Sequence, residues 1–139
     1  MTSNIEYKFN AAITAEDFVS VLKASKLGER RPVEDMECMN GMVQDADLTI
    51  TAWYNGKLIG VARSVTDFHY CCYLSDLAVD DKYQTMGIGK QLIRLTKQNL
   101  GPKCMLILLS APAAAEYYPH IGFQKHNQAW ILNPEDEIL

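Results

Sequence analysis

The fold of this chain is decided by residues 74–93, which read LSDLAVDDKYQTMGIGKQLI. Residues 77–79 end a short apolar run that is typical of a strand covered on both faces. A polar turn containing Gly87 and Gly89 follows, and the apolar residues after it recur at helical spacing. The stretch therefore predicts a buried strand, a turn, and a helix whose first amides are free.

Free amides at a helix start, with the positive end of the helix dipole, make an anion site that most often takes phosphate. Two common phosphate loops are excluded by their spacing. A Walker A loop would need glycine and a hydroxyl residue where the chain has Gln84 and Gln91, and a dinucleotide loop would need glycine where it has Leu92. The remaining pattern is Gln84-x-x-Gly87-x-Gly89, and the alternative is a glycine turn that only starts a helix.

This pattern, between an apolar strand and a helix, resembles the acetyl-CoA pyrophosphate loop of the GNAT superfamily of N-acetyltransferases, which reads Gln/Arg-x-x-Gly-x-Gly/Ala. A second stretch resembles the family's other marker. Residues 114–123 read AAEYYPHIGF, in which an alanine-rich start leads to Tyr118 and then to Gly122 and Phe123. The two markers stand in the family's order, and the resemblance covers residues 48–132.

Residues 59–64, residues 76–80 and the pair Tyr83-Gln84 are similar to the arylalkylamine (serotonin-type) N-acetyltransferases of plants and cyanobacteria. One departure from the family stands seven residues before the marker tyrosine, where many members carry an asparagine that contacts the cofactor. This chain has Ala111 there. That contact is therefore absent.

The resemblance implies an α/β fold of the acyl-CoA N-acyltransferase type, with a mixed, mostly antiparallel six- to seven-stranded sheet and helices on both faces. One N-acetyltransferase domain would cover residues 1–139. The implied enzyme moves an acetyl group from acetyl-CoA, its co-substrate, to a primary amine by direct attack, with a small amine favoured. The resemblance also implies a homodimer, while the cysteines, which we expect to be free thiols, indicate a cytoplasmic protein.

The site residues are implied in the same way. Tyr118 stands where the family keeps the general acid that protonates the departing thiolate, and a packed core tyrosine is the alternative. Asp76 is the candidate base, acting directly or through water, and a solvated or structural aspartate is the alternative. The residues predicted to bind the cofactor are Leu77, Ala78, Val79, Gln84, Thr85, Met86, Gly87, Ile88, Gly89, Lys90 and Tyr118.

Local signals predict the remaining elements. Thr14 and Asp17 have the spacing of a capping box that starts a first helix, and Asn55-Gly56 predicts a hairpin turn. Further helices are predicted at residues 32–44, 88–99 and 113–119. Strands are predicted at residues 5–9, 48–54, 58–65, 71–79, 105–109 and 130–132, with 105–109 inside the sheet.

Composition narrows the function classes. The chain of 139 residues has a net charge of −4, so no basic surface favours nucleic acid or anionic lipid as a partner. No apolar run approaches the ~20 residues that span a bilayer, and the first residues do not resemble a signal peptide. The four cysteines and three histidines lack metal-ligand spacing, so we expect free thiols and no metal site.

Two other functions stay open at this point. One is acetylation of a protein lysine or N-terminus, and the other is a non-catalytic acetyl-CoA-binding module, which the missing asparagine would fit. Among acceptors, the net charge of −4 favours a cationic amine over an anionic sugar phosphate.

Overall fold

The computed structural model describes residues 4–139. The chain falls into two units, of which the first ends at Leu109 and the second is Ser110–Leu139. No helix in the described part of the chain is both long enough and apolar enough to cross a membrane.

A five-stranded sheet forms the centre of the first unit, with its strands in chain order. The first four strands are antiparallel neighbours, and the fifth lies parallel to the fourth. This confirms the mixed, mostly antiparallel class, although the described strands number five rather than six or seven. The strands are β1 (Ile5–Phe9), β2 (Leu48–Tyr54), β3 (Lys57–Thr66), β4 (Cys71–Val79) and β5 (Met105–Ile107).

Local signals position the predicted hairpin turn and the start of the first helix correctly. Asn55 and Gly56 both have positive φ, of 49° and 78°, as the tight turn between β2 and β3 requires. Thr14 and Asp17 form the reciprocal capping box of the first helix. The second helix begins later than predicted, because Asp35 caps it. The helices are α1 (Ala15–Ala24), α2 (Met36–Gln44), α3 (Ile88–Gln98) and, in the second unit, α4 (Tyr117–His120).

Helices cover both faces of the sheet. On one face, Phe18 of α1 and Met39 of α2 are fully buried in a cluster that includes Val61 of β3. On the other face, Gly60 lets α3 approach closely, since a Cβ at Gly60 would lie 3.2 Å from Leu92. The sheet thus holds the start of α3, and the loop before it, in a fixed place.

Three predictions about the later part of the chain are wrong. Residues 105–109 do not lie inside the sheet, because β5 is its edge strand, and Met105 is 56% exposed. Residues 130–132 are not a strand. Trp130 is 92% exposed, so burial of these apolar side chains does not stabilise strand pairing here. The helix predicted at 113–119 is divided into a 3₁₀ turn, Pro112–Ala114, and α4.

The turn between β3 and β4 is organised by one carboxylate. Oδ1 of Asp67 accepts the backbone amides of His69, Tyr70 and Cys71 at 2.9, 2.9 and 3.1 Å. Phe68 takes the left-handed conformation within this turn, with φ of 68°. These backbone hydrogen bonds, with that from Tyr70 the largest, lower the pKa of Asp67 from 3.8 to about 2.

Replacing Asp67 by Asn should change how stability depends on pH. Since the pKa of Asp67 is lower in the folded state, its charged form contributes stability that is complete above pH 3.8 and disappears as the pH falls towards 2. The free energy of unfolding lost in Asp67→Asn should therefore be largest above pH 5 and shrink below pH 4. Urea denaturation at a series of pH values measures this difference, with exposed Asp45→Asn as the control. A difference that stays constant down to pH 2 contradicts the assignment.

Candidate functional site

The glycine loop leaves the end of β4 as a compact, hydrogen-bonded turn. The amide of Asp80 donates to the carbonyl of Ile59 at 2.8 Å, and its carboxylate accepts the amide of Lys82 at 3.0 Å. A 3₁₀ helix, Asp81–Met86, follows. Gly87 then turns the chain into α3 with φ of 74°, a conformation that residues with a Cβ rarely adopt. The loop thus delivers the chain to the helix start at the exposed Gly87.

The start of α3 presents free donors to the surface. Gly87 provides no side-chain cap, and the first bond inside the helix runs from the amide of Gln91 to the carbonyl of Gly87, at 3.1 Å. The amides of Ile88, Gly89 and Lys90 therefore lie in the first turn, where a helix has no acceptors of its own. The Ile88 side chain is buried, whereas Lys90 is exposed. These residues can bind an anion such as a diphosphate.

Gln84 has an internal role in the loop. Its Nε2 donates to the carbonyl of Val79 at 3.0 Å and to Oδ1 of Asp81 at 2.9 Å. An amide nitrogen carries only two hydrogens, so both are used within the protein. The predicted binding residues Thr85 and Met86 belong to the same turn. We infer that Gln84 shapes the loop and leaves contact with an anion to the main chain.

Two lysines offset the acidic residues of the loop. Asp80 and Asp81 would repel an anion bound close to them. Lys57 lies 3.8 Å from the Asp80 carboxylate, and Lys26 lies 3.7 Å from that of Asp81. Both lysines are largely exposed, so each pair is worth less than about 1 kcal/mol, but together they reduce the local negative charge.

The second half of β4 has only one described strand beside it. β5 pairs with Cys71, Cys72 and Tyr73 and then ends. β4 continues to Val79, and β3 pairs with it on the other side. Leu77 lies in this part of β4, whose edge away from β3 has no described strand. An extended ligand can join such an edge as an added strand.

A β-bulge lies where β4 separates from β5. The pairing with β3 passes from Arg63 opposite Asp76 to Ser64 opposite Leu74, so Ser75 has no partner in the register. An extra residue of this kind bends its strand and increases its twist. The bulge therefore sets the direction in which the rest of β4 runs.

Asp76 is fully buried and bound by two arginines. Its Oδ1 accepts from Nε of Arg31, and its Oδ2 accepts from Nε of Arg63. The same guanidinium groups hold Ser75: Nη2 of Arg31 donates to its carbonyl at 2.7 Å, and Nη2 of Arg63 donates to its hydroxyl at 3.0 Å. Since charged donors already occupy both carboxylate oxygens, this geometry favours the structural alternative for Asp76.

The sequence did not reveal either arginine as part of the site. Arg31 stands 45 residues from Asp76 in the chain, and Arg63 stands 13 residues from it. The one available signal was Arg63 itself. It is a charged residue within a predicted strand, and the two residues before it, Val61 and Ala62, are apolar. A charge at a core position needs a buried partner.

Tyr118 belongs to the second unit, in α4. Its ring packs edge-on against Phe123 and Tyr117, with 5.3 Å between ring centroids in both pairs. Burial, and next the neighbouring Tyr117, raise the pKa of Tyr118 above its ordinary value of 10.0. The phenol is therefore protonated at neutral pH and can act as a proton donor.

A cavity of about 310 Å³ lies elsewhere in the first unit. Its walls include Asn10, Phe18, Val43, Thr49 and Arg63. None of the residues predicted to hold the cofactor or to act in catalysis lines it, so we do not assign the acceptor to this cavity.

Replacing Asp76 by Asn should destabilise the first unit. The variant leaves two largely buried guanidinium groups without a charged partner, and breaking such a buried pair costs about 3–5 kcal/mol. Urea unfolding followed by circular dichroism measures the loss. Asp81→Asn is the control, because Asp81 is exposed and its ion pair with Lys26 is weak. Equal stability of the two variants would contradict the structural role of Asp76.

Comparison with known proteins gives the family. The model of the acetyltransferase (GNAT) domain matches residues 45–125. The chain is 30% identical over 73 residues to GCN5-related N-acetyltransferase 2, chloroplastic, of Arabidopsis thaliana, covering 49% of this chain and 27% of that protein. It is 32% identical over 73 residues to histone acetyltransferase TAP1 of Glycine max, covering 49% and 30%. The match thus spans less than a third of either relative.

Solved structures share the fold. A GNAT family acetyltransferase of Streptococcus pneumoniae superimposes with a TM-score of 0.74 at 21% identity, over 94% of this chain and 99% of that one. The aminoglycoside N-acetyltransferase AAC(6')-Iy, in complex with CoA, gives 0.69 at 16% identity, over 94% and 95%. Since the family model covers more than half of the sequence and the fold agrees, this chain belongs to the GNAT acetyltransferase family.

Proposed function

We propose that this protein transfers the acetyl group of acetyl-CoA to a primary amine by direct attack of the amine, without an acyl-enzyme. The observation that carries the proposal is the row of free amides at the start of α3, which follows, after one short loop, a strand with a free edge. A diphosphate needs the first feature, and an extended amide-containing arm needs the second. Membership of the GNAT family supports the same conclusion.

Acetyl-CoA would bind mainly through main-chain groups. The amides of residues 87–90 would hold the diphosphate, with the exposed ammonium of Lys90 beside them. The arm would then lie along β4, pairing with backbone groups of Leu77. Because Gln84 already bonds the carbonyl of Val79, it would fix the point at which the arm leaves the strand.

The acceptor amine must be neutral to attack. An alkyl amine with a pKa of about 10.4 requires about 4.6 kcal/mol for deprotonation at pH 7. The predicted base, Asp76, already accepts from Arg31 and Arg63, so we assign it to the framework of the site and assign no side chain to proton removal. The tetrahedral oxyanion would be stabilised by a backbone amide of β4 near Leu77.

Tyr118 would supply the proton that the departing thiolate needs. A thiol has a pKa of about 8.5, so free CoA is mostly protonated at neutral pH, and the departing thiolate takes up a proton that an adjacent acid can supply. The raised pKa of Tyr118 keeps its hydroxyl protonated over the whole physiological range.

We infer a small cationic amine as the acceptor. The net charge of −4 attracts cations, and a structural neighbour is an aminoglycoside N-acetyltransferase. A protein lysine is the second candidate, because a curated relative is named a histone acetyltransferase. A panel that includes both polyamines and lysine peptides separates the two.

Gly87→Ala should weaken binding of acetyl-CoA by about tenfold or more. A Cβ meets no atom within 4 Å there, but φ of 74° costs such a residue about 1–2 kcal/mol and would shift the amides that follow. Isothermal titration calorimetry measures the dissociation constant. Gly56→Ala is the matched control, with φ of 78°, an equally open site and no place in the loop. Wild-type protein that takes up no acetyl-CoA at millimolar concentration would end the proposal.

Tyr118→Phe should leave the affinity for acetyl-CoA unchanged and lower turnover by about 100-fold, on the usual scale for loss of a general acid. Release of free CoA, detected with a thiol reagent, measures turnover across the amine panel. Tyr117→Phe is the control, because it removes a neighbouring hydroxyl. Equal turnover in both variants would exclude Tyr118 as the acid. If wild-type protein binds acetyl-CoA but no amine releases CoA, the protein is a non-catalytic acetyl-CoA-binding module.

A further inference from the structure

We propose that Arg31 is a positioning residue, which clamps the bulge at Ser75 and thereby fixes the free half of β4 for the acetyl-CoA arm. This inference rests on the function proposed above. Arg31 is not on the sheet: it follows the 3₁₀ turn Leu27–Arg30 in the segment between α1 and α2. Its side chain reaches from that segment to the one place where β4 leaves the regular register.

The guanidinium of Arg31 uses all of its nitrogens. Nε donates to Asp76, Nη2 donates to the carbonyl of Ser75 at 2.7 Å, and Nη1 donates to the carbonyl of Arg30 at 2.9 Å. The bulge leaves Ser75 without a partner in the sheet, so the arginine supplies the hydrogen bond that its carbonyl would otherwise lack. The planar guanidinium presents its donors in a fixed fork, which bonds the carbonyl and the neighbouring carboxylate together.

Arg63 holds the opposite side of the bulge but has a different place in the fold. It belongs to β3 and also donates to the carbonyl of Met42 at 3.2 Å, so it is part of the sheet and its helical cover. Its side chain is 8% exposed, against 20% for Arg31. If Arg31 is removed, Asp76 keeps Arg63 as a charged partner. We therefore expect Arg31→Ala to fold and to loosen the bulge.

The position of the bulge links this clamp to turnover. Asp76 immediately follows Ser75, and Leu77 is the next residue, whose backbone would pair with the arm and stabilise the oxyanion. A shift of about 1 Å in such a group can cost about 100-fold in rate. The diphosphate amides, by contrast, belong to α3, which packs against the sheet at Gly60, and the loop before α3 is tied to the sheet by the bond from the Asp80 amide to the Ile59 carbonyl. Loss of the clamp should therefore affect rate much more than cofactor affinity.

The test compares Arg31→Ala and Arg31→Lys with Arg30→Ala. Arg30 is exposed, carries the same charge as Arg31, and contributes only its backbone carbonyl to the clamp. Since alanine keeps that carbonyl, Arg30→Ala is a closely matched control for Arg31→Ala. We expect Arg31→Ala to lower kcat with the best amine of the panel about 10- to 100-fold, to change the dissociation constant of CoA less than about threefold, and to speed amide hydrogen exchange in residues 74–79. Arg31→Lys should restore only part of the rate.

Two results would overturn the proposal. The first is hydrogen exchange in residues 74–79 that is the same in Arg31→Ala and Arg30→Ala, which would mean that the bulge needs no clamp. The second is faster exchange with an unchanged kcat, which would make Arg31 purely structural. If Arg31→Ala does not fold, Arg31→Lys answers the same two questions. Because hydrogen exchange requires no turnover, it tests the clamp even if the proposed transferase activity fails.

Discussion

The buried carboxylate of Asp76 joins three parts of the chain that lie far apart in sequence: β4, β3 and the segment between α1 and α2. Burying a lone carboxylate in a protein interior is costly, and the cost is offset only when the charge is paired and its lone pairs accept donors. Arg31 and Arg63 meet both conditions, since each places a nitrogen on a different oxygen. The arrangement specifies one geometry, because a shift of any of the three segments would leave a buried charge unpaired.

The bulge and the glycine loop lie at the two ends of the same short piece of backbone. Residues 76–79 separate them, which is about 10 Å of extended strand. In the proposed function, a ligand along this length would meet a fixed main chain at one end and would extend at the other towards the loop that leads to the free amides of α3. Both ends are tied to β3: the bulge through Arg63, and the loop through the bond from Asp80 to Ile59. In the proposed function, the sheet would thus set the distance between the diphosphate and the reacting carbonyl.

The sequence predicted the features that depend on neighbouring residues and missed those that depend on distant ones. The capping box at Thr14, the turn at Asn55-Gly56 and the free amides after Gly87 follow from a few adjacent positions, and the structure has them. The apolar run at residues 105–109 looks the same whether a strand is central or at an edge, because periodicity reports only the two faces of a strand and not its neighbours. Asp76 was taken as a candidate base because its arginine partners cannot be inferred from spacing. That Gln84 binds the cofactor stays a prediction; the structure adds that its side-chain amide bonds the carbonyl of Val79, five residues earlier.

Recognition by the main chain explains why the cofactor can be inferred more readily than the acceptor. A helix start binds a diphosphate with amides that every residue except proline possesses, so the glycines that free those amides are enough to indicate the ligand. A small-molecule acceptor, in contrast, is generally selected by a few side chains from segments far apart in the sequence, and the positions of such segments, like the one between α1 and α2, depend on contacts that spacing does not reveal. In this protein that segment is attached to β4 by Arg31, through Asp76 and Ser75. The contact that holds the bulge of β4 is thus also the one that fixes the neighbouring segment, so a change at Arg31 would loosen both.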